Sequence, residues 1–191
     1  MLDGGKIDLT SNYDVFQEMY AKNIKCKNCI VERKTDIFLF FIDFDILSRT
    51  EIDVHQYIKS IQETMESIYQ TGLKCIVTGA DKNKIIKRND IDYIKQGYHL
   101  HWPEIFVDKQ VANSIRKNIV IKLTTIFGKH EDFYDSWDKI VDKCVYDQNG
   151  LRLIGSDKCT TADGIKTYEN RVYEIKFVYI GLDSDEQLIN L

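Results

Sequence analysis

A chain of 191 residues, 43% apolar and 12% aromatic with a single proline, can build one substantial core and excludes a largely disordered or linker protein. Lys+Arg 26 against Asp+Glu 30 leaves a net charge of −4, which excludes a uniformly basic nucleic-acid binder and confines any polyanion contact to patches. The 82–95 stretch, with Lys84, Lys87 and Arg88, and the series Lys109, Arg116, Lys117 and Lys122 are the two candidate patches; a solvated face is the competing reading of each. No apolar run approaches the ~20 residues of a membrane span, and five cysteines without a secretory leader point to free thiols in an intracellular compartment.

In chain order, Ser11-Asn12-Tyr13-Asp14 is a helix start, and Val15, Phe16, Met19 and Tyr20 follow at helical spacing. Cys26 and Cys29 form one C-x-x-C, but Cys75, Cys144 and Cys159 supply no second pair, so zinc is not expected. The run 36–47, DIFLFFIDFDIL, reads as a central strand covered on both faces, interrupted by Asp43 and Asp45. Alternation sets both aspartates on one face with α-carbons about 6.6–6.8 Å apart. Two carboxylates so placed beside apolar neighbours repel each other and lose hydration unless a cation lies between them, and Mg²⁺ or Mn²⁺ would serve. The alternative is a strand that ends there, with both aspartates in water.

Residues 51–72 form an amphipathic helix carrying Val54, Ile58, Ile61, Met65 and Ile68 and ending at Gly72. A short strand over 74–78 follows, and 79–96 reads as a polar, basic loop with at most one helical turn. Residues 97–103 alternate, so His99 and His101 share one face and Tyr98, Leu100 and Trp102 the other. Asp108 then caps a helix with Val111, Ile115, Ile119, Leu123 and Ile126 that closes at Gly128. A short helix over 136–141 and strands over 151–154 and 171–180 complete an α+β chain of β-α-β-β-α-β order, the split ferredoxin-like (RRM-like) arrangement, preceded by a helical extension.

Asp142, after Ile140-Val141, is a third carboxylate that would complete the anionic set for two-metal phosphoryl transfer, with Asp147 competing for the role. Arg152, Ser156 and Lys158 surround the turn at Gly155, where a guanidinium, a hydroxyl, an ammonium and backbone N–H groups suit a triphosphate; a basic hairpin turn is the plainer reading. Gly150 and Gly155 have the glycine spacing of a P-loop, but Ser156 stands where its lysine must be, so a Walker motif is rejected. His99 can donate to a nucleotide phosphate or be a hydrogen-bonded core residue. With His101 it also matches the histidine pair of strand-nicking endonucleases, for which Tyr134, Tyr146, Tyr168 and Tyr173 are candidate nucleophiles.

Taken in order, the hydrophobic-D-hydrophobic-D strand (Ile42 to Asp45), the G-x-H strand (Gly97 to His99), the D-x-x-V-Y segment (Asp142 to Tyr146) and the R-L-x-x-S-x-K turn (Arg152 to Lys158) resemble the archaeo-eukaryotic primase superfamily. The resemblance is greatest to the primase domains of large nucleocytoplasmic DNA viruses. It implies a palm of that type over 36–191 and does not account for 1–35, which the residues themselves give as a helix and loop packing on the core. It further implies that Asp43, Asp45 and Asp142 hold two divalent metal ions, Mg²⁺ or Mn²⁺, that His99 contacts the incoming nucleotide's phosphates, and that Arg152, Ser156 and Lys158 bind its triphosphate. The implied activity is template-directed nucleotidyl transfer that makes primers on single-stranded DNA from nucleoside triphosphates. If the chain is viral, it would act at the host-cell replication site. Relatives commonly carry serine where Gly97 stands, and a helicase commonly follows the domain; without a Walker motif here, a helicase would be a further domain or a separate partner. A single-stranded nucleic-acid-binding module without catalysis is the remaining alternative.

Overall fold

Apolar residues at successive positions need cover on both faces of a strand, and the 37–48 run finds it in the middle of the molecule. The computed structural model describes residues 8–9, 11–23, 29–70, 72–147, 150–162 and 165–185. Its first half comprises α1 (Tyr13–Lys22), β1 (Val31–Glu32), β2 (Ile37–Ser48), α2 (His55–Ile68), β3 (Lys74–Ala80), β4 (Lys84–Arg88) and β5 (Ile91–Asp108). There follow α3 (Lys109–Phe127), α4 (Trp137–Ile140), a 3₁₀ turn (Cys144–Tyr146), β6 (Leu151–Arg152), β7 (Cys159–Ala162), β8 (Ile165–Tyr168), β9 (Tyr173–Ile180) and β10 (Asp183–Asp185).

The fold is α+β. The main sheet is antiparallel with strand order β10-β9-β3-β5-β2, β4 adding to β5, and two small ladders, β1 with β6 and β7 with β8, stand apart. Since β5 lies between β2 and β3, and β3 between β5 and β9, the α2 and α3 crossovers each join parallel strands separated by one other. The expected element order is therefore present, but β9 pairs with the second of the four core strands, where a ferredoxin-like sheet sets its last strand beside the first. The reason is that the free edge of β2 is already taken. Residues 132–142 run along it, with Tyr134 N–H donating to Leu47 O (2.9 Å), Asp142 N–H donating to Asp43 O (3.0 Å), and bridges pairing Phe44 with Val141 and Ser48 with Phe133.

Helices α2 and α3 cover one face of the sheet. Ile42, Phe44, Ile46, Val77, Leu100 and Trp102 meet Ile58, Ile61, Met65, Ile115, Ile119 and Leu123 in a single core. Trp102 belongs to that core, its indole N–H donating to Gln62 Oε1 at 2.8 Å while the Gln62 amide donates to Leu73 O at 2.7 Å. Asp108 caps α3 as expected, accepting the Val111 N–H at 2.8 Å. The N-terminal helix buries no side chain fully; it is tied down through Tyr20, whose hydroxyl donates to Ile154 O at 2.7 Å.

Two expectations are corrected. Residues 79–96 are not a loop: β4 and the start of β5 form a hairpin whose turn residues Asn89 and Asp90 both have positive φ (49° and 61°), the backbone a two-residue hairpin needs and one that Asn and Asp tolerate. Arg116 is not part of a basic patch. It is 3% exposed, and its Nε donates to Val141 O at 2.6 Å while Nη2 contacts the Asp138 backbone and side chain, so the guanidinium anchors the segment lying on the β2 edge. Cys26 lies outside the described residues.

Candidate active site

The sheet face opposite the helices carries the polar residues. Asp43 and Asp45 on β2 stand across from His99 and Gly97 on β5, and Thr78 on β3 stands across from His99 on the other side. The β2 strand continues three residues past Asp45, so the aspartates do not mark a strand end. Asp142 reaches this place because the edge segment is bonded to β2 at Asp43 itself; its own Oδ1 accepts the Cys144 N–H at 2.8 Å. Asp147, the competing carboxylate, instead pairs with Lys109 at 2.5 Å.

Carboxylates gathered on a half-covered sheet face resist ionising. Burial first, then the charge of Asp45, pushes the Asp43 carboxyl up to about 8, with Asp142 adding to the rise and Lys95 and Arg152 opposing it. Lys95 makes a close ion pair with Asp45 Oδ2. His99 Nε2 stands 3.8 Å from Asp43 Oδ1, and burial holds its imidazole well below its ordinary pKa, so it is neutral at pH 7. Asp43 Oδ1, Asp45 Oδ1 and His99 Nδ1 are buried with no hydrogen-bond partner among the described residues.

Behind these groups sits Tyr173. Its ring stacks on His99 at 3.9 Å between centroids, and the Arg152 guanidinium lies 4.4 Å from the same ring. Burial and the two aspartates raise its phenol pKa, so the hydroxyl keeps its proton. Gly97 is required by this packing: a Cβ there would lie 2.6 Å from both Asp45 Oδ1 and the Tyr173 hydroxyl. A serine at this position has no room here without displacing Asp45 or Tyr173.

Of the residues singled out in the sequence, Asp43, Asp45, Asp142, His99 and Arg152 converge. Ser156 and Lys158 are engaged elsewhere. Ser156 is fully buried, its hydroxyl accepting the Ile30 N–H at 3.1 Å and bonding the Tyr20 hydroxyl at 2.9 Å, while Lys158 pairs with Glu169 at 3.8 Å. The turn between them is shaped by buried Asp157, which accepts the N–H groups of Lys158, Asn170 and Arg171. His101 shares the His99 face, with burial lowering it to about 4 and its Nε2 buried without a partner among the described residues.

Sequence reasoning counted Lys95 only in a basic stretch and Tyr173 only as a candidate nucleophile, and missed that both stand beside the aspartates. Lys95 is two residues before Gly97 and so on the same face, a signal hidden by reading 79–96 as a loop. Alternation along 173–179 groups Tyr173 with Phe177 and Tyr179, but a bulge in β9 opposite Val77/Thr78 turns Tyr173 to the polar face while the other two enter the core.

Whether these residues suit a divalent cation can be tested on their own state. Two orphaned inner carboxylate oxygens and an aspartate driven toward its protonated form describe a site that a cation would relieve, and oxygen donors of this kind suit Mg²⁺ or Mn²⁺. Among the described residues no three acid, histidine or cysteine side chains are already drawn together as a cage; Asp43 and Asp45 would be the core of any donor set, with Asp142 beside them.

Comparison with known proteins adds the lineage. The chain matches the C962R protein N-terminal AEP domain family over residues 3–178, a span that takes in the N-terminal segment as well as the four motifs. No curated protein matches it. With nearly the whole chain aligned to that family and the motif residues gathered on one sheet face, the chain belongs to the archaeo-eukaryotic primase superfamily, in the family of the C962R protein N-terminal AEP domain.

Proposed function

We propose that this chain is the catalytic domain of a DNA primase, which joins nucleoside triphosphates into a primer on single-stranded DNA. The observation that carries the reading is the convergence of Asp43, Asp45, Asp142, His99 and Arg152 on one face of the β2/β5 pair. Asp43, Asp45 and Asp142 would hold the divalent ions, Mg²⁺ or Mn²⁺, which when bound lower the pKa of an attacking 3′-hydroxyl and neutralise charge on the transferred phosphate and the departing pyrophosphate. His99, neutral and stacked on the Tyr173 ring beside Asp43, would donate an imidazole N–H to a phosphate oxygen. Arg152 presents a flat fork of donors to the triphosphate, its plane set by Tyr173. Lys158 would join it only by leaving Glu169. A helicase acting at the same fork is the expected partner.

The nicking alternative fares less well on geometry. Of its four candidate nucleophiles, Tyr146 is buried with its hydroxyl donating to Phe41 O at 2.5 Å and Tyr173 is held between His99 and Arg152, so neither phenol is presented to a strand; Tyr134 is 42% exposed, with its ring packed edge-on against Tyr93 rather than on either histidine. The test is to incubate the protein with single-stranded DNA, labelled nucleoside triphosphates and Mg²⁺ or Mn²⁺, beside an Asp43→Asn, Asp45→Asn double variant. New short oligonucleotides that require the metal and vanish in the variant are expected. Shortened template covalently bound to protein would overturn the primase reading.

A further inference from the structure

Beyond the aspartates, the polar face of β2 and β5 continues away from the triphosphate residues as a row of cross-strand pairs: Asp45 with Gly97, Asp43 with His99, Phe41 with His101, and Leu39 with Phe106. Along this row the chemistry changes from charged to apolar. The far end leaves large side chains in water, Leu39 45% and Phe106 68% exposed. A ladder irregularity between Leu39 and Phe41 sets four residues of β5, 102–105, against one of β2, and Phe106 is the first paired residue beyond it. The last two pairs of the row are the floor of a cleft of about 370 Å³ whose wall is the β1/β6 ladder, with Arg33 and Lys34 also lining it and Arg152 at the end nearest the aspartates. Among the lining residues Arg33, Lys34 and Arg152 outnumber the one carboxylate, Glu32, in a chain of net charge −4, although the Lys34 ammonium also donates to Asp147 O at 2.9 Å. On the floor, His101 turns a buried Nε2 with no partner among the described residues.

We propose that this cleft seats the unpaired template strand, a stretch of single-stranded DNA whose base stacks on Phe106, whose phosphates lie along Arg33 and Lys34, and whose next base or sugar meets His101. The proposal rests on the primase reading for the name template, but not for the binding. An exposed aromatic ring flanked by cations suits an unstacked base and its backbone, and a duplex has no free base face to offer it. Leu39, Ile37 and Phe106 give a ribose 2′-hydroxyl nothing to bond, which favours DNA over RNA. The row also fits the length. From Asp43 to Leu39 is four residues, about 13 Å of strand, room for roughly two extended nucleotides between the reacting position and the stacking ring.

The test is fluorescence anisotropy of a fluorescein-labelled oligothymidylate of about 16 nucleotides in EDTA, with the matching RNA and a DNA duplex as competitors. Phe106→Ala is expected to weaken binding between about fivefold and a hundredfold without lowering the melting temperature, since the ring is mostly in solvent. Arg33→Ala should weaken it and reduce the salt slope by about 0.7. Ile85→Ala, at a residue 60% exposed against 68% for Phe106 but on the β4 hairpin, should bind like the parent. Binding unchanged in both Phe106→Ala and Arg33→Ala overturns the proposal, as does RNA or duplex competing as well as the single-stranded DNA. The two readings separate cleanly: Phe106-dependent binding without primer synthesis leaves the cleft and removes the primase, whereas primer synthesis with Phe106-independent binding does the reverse.

Discussion

Replacing Arg116 by Met tests whether the acidic site is built through the β2 edge. The guanidinium is buried beneath α3 and makes its bonds to two backbone carbonyls, Val141 O and Asp138 O, with Asp138 Oδ1 at 3.0 Å as a third contact. Met keeps most of the volume and none of the donors. Each charge-assisted bond to a carbonyl is worth about 1.5–3 kcal/mol, and the loss leaves the Val141 carbonyl buried and unsatisfied. The Asp138 carboxylate, 67% exposed, adds less than about 1 kcal/mol. A total near 4 kcal/mol corresponds to a melting temperature lower by about 10 °C in a chain of this size. Because Val141 bridges Phe44 and the Asp142 N–H binds Asp43 O, the same change frees Asp142 from β2. The assay pairs a thermal melt with primer synthesis measured well below the melting point. A melt within about 2 °C of the parent, or full synthesis despite a lowered melt, would refute the reasoning.

Gly97→Ser should push aside Asp45 or Tyr173 and cost up to about a hundredfold in the rate of nucleotidyl transfer, read by steady-state kinetics; an unimpaired enzyme would show that the packing around residue 97 yields freely. Without metal, Asp43 is held up to about 8 whereas an unfolded chain releases that proton near 3.8, so the folded state binds the extra proton between those values and stability falls as pH rises through them. Asp43→Asn should flatten that limb of the melting profile and abolish stabilisation by Mg²⁺ at high pH; a profile that keeps its slope places the effect elsewhere. Ser156→Ala removes the acceptor for the Ile30 N–H and the contact with Tyr20, costing about 1–2 kcal/mol by denaturant titration with the KM for nucleotide unchanged. A raised KM with unaltered stability would instead return Ser156 to the triphosphate.

Much of the architecture was legible. Helices α2 and α3 announce themselves by apolar spacing and, in α3, by the Asp108 cap, and the 37–48 strand by its continuous apolar run. The 84–95 hairpin was legible in principle, since Asn89-Asp90 between Ile85-Ile86 and Ile91 is turn chemistry flanked by strand formers, but its lysines made it look like a loop. Of the candidate site, Asp43 with Asp45 and His99 with His101 lie on strands whose period is two, so the shared face of each pair followed from local sequence, whereas the register that sets Asp43 across from His99 did not. Ser156 was legible only as a hydroxyl in a basic turn; its engagement by Tyr20, 136 residues away, was not.

The sequence by itself determined the α+β class, the two covering helices and the aspartate pair on one face of a central strand, because these depend on periodicity and capping within a few residues. Only the tertiary structure decided that β9 sits beside β3, that Asp142 meets Asp43 along an edge, that Arg116 lies inside and that Tyr173 faces the site. Those outcomes turn on which edge is vacant and where a strand carries one extra residue. A single bulge reverses the face of every side chain beyond it, and local spacing does not record it.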